Sequence, residues 1–146
     1  MKDKKKSCKS QSDNTENNNS NQKQGEIYKE LYIINISIWG VFLILYGIII
    51  NIEYLFWQRS IILDNINNTN FTENMEDLSD NPRKSNLIYL IVTAIFVGIL
   101  WDGYNTVKNN SNSQPIDIQK AYKNLVAILL LFLGTSINFD VLNNNY

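Results

Sequence analysis

The chain has 146 residues, enough for one domain, with 45% hydrophobic residues and a net charge of −1 from 13 basic and 14 acidic side chains. That near balance excludes a bulk attraction to nucleic acid. There is no histidine and a single cysteine, Cys8, which excludes an internal disulfide, the Ser-His and Cys-His nucleophile pairs and the common zinc sites.

The mean hydropathy of −0.20 would suit a soluble protein if polar and apolar residues were mixed. They are segregated instead, and segregation is the mark of a membrane chain. Residues 1–24, MKDKKKSCKSQSDNTENNNSNQKQ, hold almost no apolar side chain. Nothing there offsets the entropy of ordering, so this stretch is expected to be a disordered tail.

The first apolar stretch, LYIINISIWGVFLILYGIII over residues 31–50, carries no charge. At 1.5 Å per residue its helix spans about 30 Å, the hydrocarbon thickness of a bilayer. A soluble helix of that length would show a polar face every 3.6 residues, and this one does not. Tyr54, Phe56 and Trp57 followed by Arg59 form an aromatic belt with a basic anchor at its end.

A polar connection follows over residues 58–85, read as a loop with at most a short amphipathic piece around Ile61–Ile66. Asn67-Asn68-Thr69 and Asn70-Phe71-Thr72 match the N-glycosylation pattern. In so Asn-rich a chain these read as chance matches. The second span covers residues 86–104, with a strictly apolar part from Leu87 to Trp101 that reaches about 22 Å. Residues 105–120 form a second polar loop, and the third span covers 121–142, with Lys123 and Asp140 near its two ends.

The expected fold is therefore an all-α integral membrane protein. Three transmembrane helices, about 31–53, 86–104 and 121–142, make a small bundle within a membrane domain over 25–146, behind the disordered tail. Seven of the 13 basic residues precede the first span and three flank the second loop (Lys108, Lys120, Lys123), against Arg59, Arg83 and Lys84 in the first loop. The positive-inside rule then puts the N-terminus in the cytoplasm and the C-terminus outside. Heavy use of Asn, Ile and Lys fits an AT-rich coding sequence and a bacterial cytoplasmic membrane.

This topology sorts the polar residues at the span edges into two layers. Asn35, Asp102 and Lys123 fall at the inner edge, and Glu53 and Asp140 at the outer. Intramembrane charges mark functional sites by default, but these sit where water is near, and no charge occupies a mid-span position. Small residues mark where helices approach closely: Ala94 and Gly98 as a small-xxx-small pair, Gly40 with Gly47 and Ala127 with Gly134 at heptad spacing. No catalytic constellation, cofactor motif or metal-ligand cluster is present in the sequence, so neither an enzyme nor a cofactor is expected. The partners expected are the lipid bilayer and either another membrane protein or further copies of the chain. The function expected is that of a non-catalytic accessory or interaction protein. The alternatives are a small homo-oligomeric pore or transporter and, behind it, an immunity or stress protein of the membrane.

Overall fold

The structure, a computed structural model, describes the backbone of residues 7–144 and the side chains of residues 24–144. The disordered tail expected over residues 1–24 falls almost wholly outside the described side chains. Among the described residues there are three α-helices, α1 (Ser7–Asn67), α2 (Asn81–Asn109) and α3 (Pro115–Asn144), one 3-10 turn (Phe71–Asn74) and no strand. Each helix is long and apolar enough to cross a membrane, α1 by its stretch from Gln24 onward. The fold is an all-α, three-helix membrane bundle.

Residues up to Ile38 and residues from Trp39 onward form two compact units. In the first, Ser37 turns its hydroxyl back onto the Ile33 carbonyl at 2.8 Å, which satisfies it without a partner helix. The second unit holds the rest of α1 with α2 and α3.

Within this second unit α1 and α2 run antiparallel. Gly40 lies against Val92 and Phe96, Gly47 against Tyr89, and Asn51 against Ser85. Each step forward along α1 thus meets a step back along α2. The pair α2 and α3 is antiparallel too: Arg83 reaches Asn143, Asn86 reaches Thr135, and the rings of Tyr104 and Tyr122 lie 6.1 Å apart. α2 therefore carries contacts to both neighbours.

This register brings the apolar stretches level. The apolar heart of α2, Leu87 to Trp101, lies beside α1 from Ile49 back through Gly40 and beside α3 from about Phe139 back to Leu125. α2 and α3 share one apolar slab about 22 Å thick, and Gly40 to Ile49 of α1 lies along ~15 Å of it, at 1.5 Å per residue. The buried apolar side chains are few, Ile50, Val92 and Leu125, while residues such as Leu45, Ile48, Leu130 and Leu133 are exposed. A water-soluble protein would aggregate through such a surface, whereas hydrocarbon solvates it.

The two connections are shorter than the sequence implied. The loop expected over 58–85 narrows to 68–80, and that over 105–120 to 110–114. The stretch 58–67 contains neither glycine nor proline, so nothing stops α1 until Asn68, which adopts a left-handed φ of 52°. Asparagine tolerates that conformation, and it ends the helix. The Thr69 N–H then returns to the Asp64 carbonyl at 3.0 Å, the six-residue closure of a Schellman end. At the other end of the loop Pro82 sits in the first turn of α2, where its missing N–H costs nothing. Pro115 opens α3 in the same way, with Asp117 in the first turn favourable to the helix dipole.

One consequence is an overhang. α2 begins at Asn81, level with about Leu55 of α1. α1 runs on to Asn67, roughly 12 residues or ~18 Å further. This end of α1 stands clear of the apolar slab, and the 68–80 segment folds back along one side of it.

Candidate functional site

The feature that distinguishes the interior is a neutral polar seam along α2. Ser85, Asn86, Tyr89 and Thr93 follow one another at helical spacing, so they line the sides of α2 that face α1 and α3. Ser85, 1% exposed, donates its hydroxyl to the side-chain Oδ1 of Asn51 on α1 at 2.8 Å. The Asn51 amide extends to the Tyr89 hydroxyl at a long 3.5 Å. On the other side, the Asn86 amide donates to the Thr135 carbonyl of α3 at 3.1 Å. The hydroxyls of Thr93 and Thr135 meet at 3.2 Å, each also turned onto a carbonyl of its own helix.

Glycine makes room for this arrangement. A Cβ added at Gly47 would stand 2.7 Å from the Tyr89 ring, and one at Gly40 would stand 3.0 Å from the Phe96 ring. Without those two glycines the aromatic rings of α2 could not lie flat against α1. Among the described residues no buried side-chain nitrogen or oxygen lacks a hydrogen-bond partner. Inside hydrocarbon such bonds hold helices together by about 0.6 to 2 kcal/mol each. The seam contains no charged residue, and its hydrogen bonds tie α2 to α1 and to α3.

The small residues singled out from the sequence divide. Gly40 and Gly47 lie in the α1–α2 contact. Ala94, Gly98, Ala127 and Gly134 lie on exposed faces, with no atom within 4 Å of a Cβ added at Gly98 or Gly134. α2 meets its neighbours through the Ser85 and Asn86 sides, and Ala94 and Gly98 are on the side away from α1.

The polar residues at the span edges are spread over both ends of the helices. Asn35 belongs to the first unit and is exposed. Glu53 is exposed on α1. Asp102 and Lys123 lie at one end of the α2–α3 pair and are exposed. At that end Lys108 stands 5.7 Å over the Tyr104 ring, a cation–π contact at interface depth. Asp140 lies at the opposite end and accepts from Asn144 at 2.9 Å. Nearby, Arg83 pairs with Asp80 at 2.7 Å, an exposed ion pair of little energetic weight. Among the described residues no group of three or more Cys, Asp or Glu side chains is placed to hold a metal ion.

One residue was invisible to sequence reasoning. Asp64, 9% exposed, gathers the start of the first loop onto the end of α1. Its carboxylate accepts from the Thr69 hydroxyl at 2.6 Å and from the Thr72 hydroxyl and Thr72 N–H, both at 2.7 Å. The hydroxyls of both glycosylation-pattern threonines are thus engaged in sealing the helix end. The available signal was an acidic residue in the last turn followed by Asn-Asn-Thr, which reads as a glycosylation pattern in a loop unless the end of α1 is known. In the same loop the Ser79 N–H bonds the Asp77 carboxylate at 2.9 Å, and that bond holds Asp77 below the usual carboxylate range.

No family model, curated protein or solved structure matches this chain. What is on the page stands on its geometry: a multi-pass membrane protein whose three helices are tied by uncharged side chains.

Proposed function

We propose that this chain is a non-catalytic accessory or interaction protein of a bacterial cytoplasmic membrane, with its N-terminus in the cytoplasm and its C-terminus outside. The observation that carries this reading is the neutral, internally satisfied seam. The side chains that could do chemistry within the membrane are occupied in tying helix to helix, and charged residues lie at helix ends. What such a molecule offers a partner is its surface: an apolar belt for lipid or a neighbouring helix, and an outward loop bearing Glu73, Glu76, Asp77 and Asp80. Positive residues concentrate before α1 and around residues 108–123, which supports the orientation.

The test is extraction of the tagged full-length protein from native membranes in mild detergent, followed by sizing and identification of what remains bound. A stoichiometric foreign protein is the expected result. A homogeneous preparation that conducts ions when returned to liposomes would replace this reading with that of a pore or transporter. Orientation is checked by labelling single cysteines placed at residues 76 and 111 with an impermeant thiol reagent, in a Cys8→Ser background. Residue 76 is expected to react from outside and residue 111 only after the membrane is opened.

A further inference from the structure

The belt that α2 and α3 present to lipid is short. The strictly apolar run is Leu87 to Trp101 on α2 and Leu125 to Ile137 on α3. At 1.5 Å per residue these cover ~22 Å and ~20 Å, against about 30 Å for the hydrocarbon core of an ordinary bilayer. The two runs lie at the same level, because Asn86 meets Thr135 and Tyr104 meets Tyr122. Neither helix therefore makes up for the shortness of the other. α1 is apolar over a longer stretch, so the short belt belongs to the α2–α3 side alone.

The residues that bound the belt are polar and exposed. Arg83 and Lys84 of α2 stand at one end with Asn138 and Asp140 of α3, and Asp102 of α2 stands at the other with Lys123 and Asn124 of α3. Lysine and arginine can reach headgroups from within the hydrocarbon by extending their long stems. Aspartate and asparagine are too short to do so. Because the helices are antiparallel, each end of the belt holds short polar groups as well as long basic ones. Snorkelling cannot lengthen the belt at either end. Tilting would only shorten its projection on the bilayer normal. What relieves a span that is too short is a thinner bilayer.

The exposed apolar face is also too broad to be a seam for one neighbouring helix. Leu129, Leu130 and Leu131 are consecutive and all exposed, as are Leu133 and Ile137. Successive residues turn by about 100°, so the apolar surface of α3 wraps more than half of its circumference. Lipid covers such an arc and a single helix does not. We propose that the α2–α3 side of the protein holds a locally thinned bilayer, with phospholipids of short acyl chain as its preferred neighbours. This inference is independent of the accessory role proposed above, since it concerns the lipid beside the molecule and not the partner it serves.

The experiment reconstitutes the full-length chain in phosphatidylcholine vesicles. Trp39→Phe and Trp57→Phe leave Trp101, 56% exposed on α2, as the lone tryptophan. Its quenching by brominated phosphatidylcholine, in competition with the same lipid carrying myristoleoyl, oleoyl or erucoyl chains, reads the relative affinity of each for this side. Myristoleoyl chains, the shortest, are expected to be preferred over erucoyl, the longest, by about threefold. A preference for oleoyl or erucoyl chains would overturn the proposal. So would equal affinity for all three, the result if another protein or a second copy covered this side. Asp102→Leu with Asn138→Leu and Asp140→Leu extends the apolar runs to Tyr104 and Leu142, ~27 Å each. The preference is then expected to move to oleoyl chains. A myristoleoyl preference that stays in this variant, with helix content equal to the parent's, would also overturn the proposal. Asp102→Leu alone changes one exposed residue and is expected to move the preference part of the way, which keeps the test open if the triple variant fails to fold.

Discussion

Gly47 is the position where one methyl group should decide whether α1 and α2 fit. Gly47→Ala places a Cβ 2.7 Å from the Tyr89 ring, closer than carbon atoms approach without something moving. Tyr89 packs against α1 with its hydroxyl 3.5 Å from the Asn51 amide, so the ring must tilt away from that contact or the helices must separate. Overfilling of this kind costs about 1–3 kcal/mol. Alanine also relieves the flexibility of glycine in a helix, which returns up to about 1 kcal/mol. Gly134→Ala isolates that second effect, because nothing lies within 4 Å of its added Cβ. The two variants should therefore differ by the overfilling cost alone, about 1–3 kcal/mol with Gly47→Ala the less stable. The assay is equilibrium unfolding of both variants in mixed micelles, with the cycle closed by Tyr89→Ala. In the Tyr89→Ala background the penalty at residue 47 should vanish, since the atom it strikes is gone. Equal stability of the two glycine variants, or a penalty that persists without the ring, would refute the reasoning.

The seam itself predicts coupling. Ser85→Ala and Asn51→Ala are each expected to destabilise by about 0.6–2 kcal/mol, and the double variant by less than their sum, as a double-mutant cycle would read. Asp64→Ala should free the loop locally: amide exchange at residues 69–72 accelerates while the core amides of α2 keep their protection, and unchanged exchange would count against the seal. Ala94→Leu together with Gly98→Leu falls on an exposed face. Unfolding stability in detergent should stay within about 0.5 kcal/mol of the parent, and a larger loss would show that this face is covered.

The apolar segments were legible because length and absence of charge are enough to identify a span, and 31–50 has both. The helix ends were not. Residues 58–67 and 105–109 are polar enough to read as loop, yet a helix continues wherever no residue forces it to stop, and here the stop is Asn68. The small residues show a deeper limit. In a water-soluble helix polarity says which face is inside. In a span lipid and protein are both apolar surroundings, so Gly40, Gly47, Ala94 and Gly98 look alike in the sequence. Only the pairing of Tyr89 with Gly47 and of Phe96 with Gly40 separates them. The charges at the span edges were legible by their position beside apolar runs. Which of them share an end of the bundle, as Asp102 and Lys123 do, depends on a register that no local pattern encodes.

The five-residue connection between α2 and α3 also bears on the seam. Residues 110–114 are too few to let the two helices part far, since an extended chain covers about 3.5 Å per residue. A link this short holds the adjoining ends of α2 and α3 side by side, so the two helices are tethered as a hairpin. An unpaired amide or hydroxyl in hydrocarbon would cost several kcal/mol. The short link thus keeps the partners of the α2–α3 half of the seam, Asn86, Thr93 and Thr135, on helices that cannot separate at their linked ends.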